Sequence, residues 1–225
     1  MKFSIITLFP EVLKTVFDSS IVGRGQKKGH LEFEYIDLRQ FGLGTHQVVD
    51  GKPYGGGVGL VLRADVLEKA IQSIERVGKS IVILPAANGQ IYHQSTTKEL
   101  LEYDHIIVIC GHYEGVDQRF IDQYVDLELC IGDFVLTGGE IPTMLIVDSV
   151  ARLVPGVLEK PEAHQKESFE NDLLEHPHYT RPDTFNNQTI PEVLMSGHHG
   201  KVEEWRHEQQ IEKTQKVRPD LIKKD

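Results

Sequence analysis

Long apolar runs are missing from this sequence. No stretch of 18 or more apolar residues occurs in its 225 residues, which removes a membrane-spanning helix. Cysteine is scarce: Cys110 and Cys130 are the only two, with no CxxC and no zinc-type spacing. Both fall in apolar runs, where a free Cys behaves as a small core residue. Cations are short as well, 24 Lys and Arg against 34 Asp and Glu, for a net charge of −10. That removes a generic basic coat for nucleic acid but not local patches. Residues 201–225 hold seven Lys/Arg against six acids, and Arg24, Lys27 and Lys28 form a second group. Neither a GxxxxGK(S/T) phosphate cradle nor a GxGxxG dinucleotide fingerprint is present. The opening "MKFSIITLFPEV" has one Lys, an acid at Glu11 and no small-residue cleavage site. It reads as a first strand rather than an export signal, so the expected location is cytoplasmic.

What is present is enough for a core, with 40% apolar residues and no low-complexity tract. Strand and helix patterns alternate. "KFSIITLF" reads as a strand, and Pro10-Glu11 opens a helix to about Ser19. "LEFEYIDL" alternates at period two, while "SIVILPA" and "HIIVICG" are continuous apolar runs of the kind covered on both faces. Between those two, "STTKELLEY" reads as a helix with Ser95 as its N-cap. Residues 131–136 begin like another strand, and "EIPTMLIVDSVARLV" follows as a helix stopped by Pro155-Gly156. This order predicts an α/β domain with a mainly parallel sheet over 1–158. A polar linker over 159–167 and a small all-helical domain over 168–225 complete the expected division.

Three of these segments end in small residues: "ILPAANGQ" (83–90), "ICGHYEG" (109–115) and "IGDFVLTGGE" (131–140). Open α/β sheets bind ligands at the carboxyl ends of their strands, and glycine lets backbone approach a ligand. Each loop alone reads as a turn; the three together point to one site. "PYGGGVGLVL" (53–62) reads equally as a flap or a weak phosphate loop. The acids Glu114, Asp133, Glu140 and Asp148 either anchor turns or work on a substrate, and Asp148 has Arg152 one helical turn on. Eleven histidines include "EHPHY" and "GHHG", but no third or fourth ligand has recognisable spacing, so no metal site is assigned. His178, Tyr179 and Arg181 instead suit an RNA surface.

The stretches "LFPE" (8–11), "VDGKPYGGGVG" (49–59), "CGHYEGVDQR" (110–119), "IGDFVLTGGEIP" (131–142), "DSVARLVPGVL" (148–158) and "HYTRP" (178–182) share order and spacing with one family. The chain resembles the bacterial tRNA (guanine-N1)-methyltransferases (TrmD family) of the knotted SPOUT class. The resemblance implies a deep trefoil knot, an exception to the usual absence of knots. It implies S-adenosylmethionine bound by Gly111, Ile131, Gly132, Asp133, Phe134, Val135 and Leu136, with Gly138 and Gly139 beside them. It implies methyl transfer to N1 of the guanosine immediately 3′ of the tRNA anticodon. Neutral guanine holds a proton on N1, so a general base is required. The family's linker acid falls here on Glu167, where an aspartate stands in its best-known members, with Glu114 next in line. The arginine that stabilises charge on guanine O6 falls on Arg152. Asp50, His46, Arg181 and the cation-rich tail are the expected tRNA contacts. A homodimer with the active site between subunits is implied, whereas Mg²⁺ is left open. Other departures are Gln118 in place of an acid, His112 in place of an arginine, and "LPAANGQ", one residue longer than the usual loop. The alternatives are a ribose 2′-O-methyltransferase of the same class and a non-catalytic RNA-binding protein.

Overall fold

A computed structural model describes residues 1–160 and 167–222, which fall into two compact units, Met1–Glu159 and Lys160–Asp225. The first unit runs β1 (Lys2–Thr7), α1 (Pro10–Phe17), α2 (Ser20–Lys27), β2 (Glu32–Asp37), β3 (Asp50–Gly51), β4 (Val61–Leu62) and α3 (Ala64–Gln72). It continues with β5 (Ser80–Ile91), α4 (Gln94–Leu100), β6 (His105–Ile109), α5 (Gln118–Tyr124), β7 (Leu127–Cys130) and α6 (Glu140–Ala151). Five strands form one sheet in the order β2-β1-β6-β5-β7, and every neighbouring pair is parallel.

The apolar runs explain why the sheet is covered twice. Along β6, Ile106 and Val108 face one core cluster with Phe3, Leu13, Phe17 and Val147, whereas Ile107 and Ile109 face another with Leu62, Leu67 and Phe120. In β5 the same alternation places Ile81 and Ile83 in the first cluster and Val82 and Leu84 in the second. A strand with both faces buried needs apolar residues at every position, and the period-two signal disappears. Phe33 of β2 stacks on Phe3 and Phe17, with ring centroids 5.1 and 4.9 Å apart.

Several expectations are corrected. Residues 131–136 form no strand: β7 ends at Cys130, Gly132 has φ +153°, and Phe134 and Val135 are exposed. The segment 86–91 is a continuation of β5 rather than a loop. β5 shifts register between Pro85 and Gln90 and then pairs again with β7. Gly89 is needed there, because a Cβ would lie 2.6 Å from the Glu128 carbonyl carbon. Helix α4 begins one residue before Ser95, with His93 at the N-cap position and no side-chain cap. Of the acids singled out, Asp133 and Asp148 are exposed.

The second unit contains β8 (Thr184–Phe185), β9 (Gln188–Thr189), α7 (Glu192–Met195) and α8 (His199–Val217). It is therefore not all-helical: β8 and β9 form a minimal hairpin through Asn186 and Asn187, both with positive φ, the geometry such tight turns demand. Asn tolerates that region better than most residues, a signal that "FNNQ" carried and the helical reading passed over. Residues 168–183 form only a short 3₁₀ turn, Glu170–Asp172, in place of a helix. Thr214 of α8 is buried and ties the unit together, donating to Gln210 O (2.6 Å) and accepting from the Leu174 N–H (2.9 Å).

Candidate active site

The carboxyl ends of β5, β6 and β7 meet on one edge of the sheet. A narrow cleft of about 110 Å³ opens there. Pro85, Ala86 and Ala87 of β5 form one wall. Ile131, Gly132, Phe134, Val135, Leu136, Gly138 and Gly139 from the loop after β7 form the other, with Pro142 of α6 below. Phe134, Val135 and Leu136 are 56%, 87% and 37% exposed. Three large apolar side chains turned outward on one loop suit an uncharged planar ring. The Phe134 ring lies against Gly132, where a Cβ would meet it at 2.5 Å.

The loop is fastened to the end of β6 by backbone contacts. Gly139 N–H donates to Gly111 O at 2.8 Å, and His112 bridges Gly138. A Cβ on Gly139 would lie 2.6 Å from Cys110 Cα. Gly111 thus supports the cleft from beneath and is absent from its lining. Asp133 belongs to the loop but does not line the cleft either. Cys110 is fully enclosed, and burial, with the Glu140 charge beside it, pushes its thiol well above the ordinary range. It is no nucleophile.

The remaining expected residues lie in several places. Arg152 is half-buried at the C-terminal end of α6 in the first unit, and Glu167 is half-buried in the second. Glu114 is exposed; its N–H donates to Leu60 O at 2.9 Å and its carboxylate lies over Gly59. Asp50 pairs with Leu62 across β3 and β4. His46 is exposed at the tip of a turn closed by reciprocal backbone bonds between Leu43 and Val48. Arg181, in the second unit, is exposed on a surface depression that it lines with Tyr179, Thr180, Asp183, Ile190 and Met195.

A larger open cleft, about 1000 Å³, runs between residues 51–68 and α5. Its two guanidinium groups are chelated locally, Arg63 by Asp65 and Arg119 by Asp117, so it offers an anion little net charge. Among the described residues no group of three or more His, Cys, Asp or Glu is placed to hold a metal ion. Among them, too, no helix is long and apolar enough to cross a membrane.

Set beside known proteins, the whole chain finds a match. The model of the family described as "tRNA (Guanine-1)-methyltransferase TrmD" matches residues 1–224. The chain belongs to this family. Among its curated relatives, the tRNA (guanine-N(1)-)-methyltransferase of Mycoplasma mycoides is 50% identical over 223 residues, 99% of this chain and 92% of that protein. The enzyme of the same name from Magnetococcus marinus is 47% identical over 228 residues, 100% of this chain and 90% of that protein. That of Ruminiclostridium cellulolyticum is 44% identical over 226 residues, 100% and 97%. In this TrmD family member, the segment 83–90 that the sequence pointed to supplies Pro85, Ala86 and Ala87 to the cleft, whereas Leu129, Cys130 and Pro142 were not singled out. The proline of "GEIP" was the available signal for Pro142.

Proposed function

We propose that this chain transfers a methyl group from S-adenosylmethionine to N1 of the guanosine immediately 3′ of a tRNA anticodon. The full-length family match over residues 1–224 carries this reading. When bound, the cofactor supplies an electrophilic methyl group. Ile131, Phe134, Val135 and Leu136 would wall its adenine, with the main chain of Gly138 reading a polar edge and Gly132 and Gly139 allowing close approach. The cleft is narrow, and the exposed Phe134 ring stands at its mouth against Gly132.

Glu167 is assigned as the base that removes the N1 proton, with Glu114 as the alternative. Arg152 is assigned to the negative charge that deprotonation moves onto O6, where a fixed cation acts on charge as it develops. Asp50, His46 and Arg181 are assigned to tRNA. The division into a cofactor domain (1–158), linker (159–167) and mainly helical tRNA domain (168–225) is supported by the two compact units. The knot is supported by the path of the chain. Leaving β7, beyond β5 in the sheet, it returns across β5 to bond with residues 111–112 at the end of β6.

A homodimer is supported by apolar side chains left exposed on two helices that pack together: Val12 and Val16 of α1, and Ile141 and Leu145 of α6, each 43–58% exposed. The proposed setting is the cytoplasm, where two buried, unpaired thiols remain reduced.

The deciding experiment uses purified protein, labelled S-adenosylmethionine and two tRNA transcripts, with guanosine or adenosine 3′ of the anticodon. Transfer to the first alone, giving N1-methylguanosine, is expected. A 2′-O-methylated product, or cofactor binding with no transfer, would overturn the reading. Repeating the assay with a chelator and added Mg²⁺ decides whether a cation joins the proton transfer.

A further inference from the structure

A buried hydrogen-bonded cluster lies directly behind the cleft. Glu140, the first residue of α6, has a carboxylate only 9% exposed. It accepts a hydrogen bond from Thr7 Oγ1 at 2.6 Å and faces His112 Nε2 at 2.7 and 2.9 Å. The Thr7 hydroxyl in turn accepts from the Phe9 N–H at 2.9 Å. The three side chains come from the end of β1, the loop after β6 and the start of α6. Nothing in the proposed chemistry uses them.

Their place suggests their work. The His112 ring occupies the space that a side chain on residue 138 would need: a Cβ there would lie 2.3 Å from His112 Cε1 and 2.9 Å from Glu140 Oε2. Gly138 and Gly139 line the cleft and are fastened to residues 111–112 by backbone contacts. The position of these glycines is therefore set by where His112 sits, and His112 is held by Glu140. A buried carboxylate keeps its partners tightly, because an unpaired charge in that setting is costly. At the first turn of α6 the carboxylate also faces the positive end of the helix.

We infer that the Thr7–Glu140–His112 cluster is a positioning device for the methyl donor, fixing the Gly138 backbone, with Gly139 anchored to Gly111 beside it, at the height from which it reads the cofactor. The inference rests on the proposed cofactor site. His112 and Glu140 are positioning residues, separated from the reacting atoms by the glycines.

The test is calorimetric titration of the full chain with S-adenosylmethionine, paired with steady-state kinetics. His112→Leu keeps bulk and removes the donor. The expected result is a Kd and KM for S-adenosylmethionine raised about tenfold or more, the size of one charge-assisted hydrogen bond. The kcat at saturating cofactor and the KM for tRNA should stay within about threefold of the parent values. His112→Gln, whose amide can take the place of Nε2, should restore affinity. Glu140→Gln keeps shape but removes charge; it should weaken binding in the same direction and serves if His112→Leu folds poorly. Unchanged cofactor affinity in His112→Leu or Glu140→Gln, or a fall in kcat with KM unchanged, overturns the inference. A parent protein that binds no S-adenosylmethionine would instead overturn the cofactor site itself, and the cluster's role with it.

Discussion

Gly138 shows why a residue's reason has to be sought in three dimensions. The sequence marks it as bare backbone beside a ligand, whereas in the fold the nearer occupant is the His112 ring, 2.3 Å from any Cβ it might carry. Gly138→Val is therefore expected to abolish cofactor binding by displacing that ring. Arg152→Ala should leave cofactor affinity nearly intact and lower transfer by about a hundredfold or more, since its charge is needed only as the transition state forms. Equal loss of affinity in both variants, measured by titration, would contradict this division. Glu167→Gln tests the base: near-normal turnover there moves the role to Glu114. At this scale most of the cleft lining between 131 and 139 was legible, because glycines and apolar residues cluster there in one short run. Thr7 was not, because it meets Glu140 across 133 residues of chain.

At the scale of the element, β6 was legible as a strand, but the chemistry at its start was not. His105 is fully buried at the end of the sheet remote from the cleft. Its Nε2 faces Ser4 Oγ at 2.8 Å, and Nδ1 accepts the Val77 N–H at 3.3 Å. Ser4 spends its own proton on Glu34, at 2.6 Å, so the ring is neutral with the proton on Nε2. Burial, helped by the Lys2 charge, pushes the His105 pKa below its ordinary 6.5. The sign then follows: the unfolded chain takes up the proton first, so stability is full above about pH 6.5 and declines as pH falls toward the lowered folded value. Denaturant midpoints at pH 7.5, 6.5 and 5.5 should fall in that order, and His105→Gln should flatten the slope. The loop 131–136 misled for the opposite reason. Its residues favour a strand, but Gly132 turns the chain out of the sheet and leaves the apolar side chains in solvent.

For the whole molecule, alternating strand and helix patterns made the parallel α/β class legible, because that class follows from local periodicity. The strand order β2-β1-β6-β5-β7 did not, since it depends on pairings between distant segments. Nor did the β8–β9 hairpin, two residues on each side and too short for any period. The exposed helix residues lead to a prediction at this scale. Leu145→Asp should convert the protein to a monomer by sedimentation or size-exclusion chromatography and remove transfer activity with it, because the proposed site needs both subunits. The sheet order carries a further consequence, for synthesis. β1 lies between β2 and β6, and its second partner is encoded about a hundred residues later. At roughly 5–20 residues per second, one edge of β1 waits on the ribosome for about 5–20 s before His105–Ile109 emerges to cover it. During that interval Phe3 already has Leu13, Phe17 and Phe33 to pack against, and what stays open is the row of β1 backbone groups that His105–Ile109 later pairs.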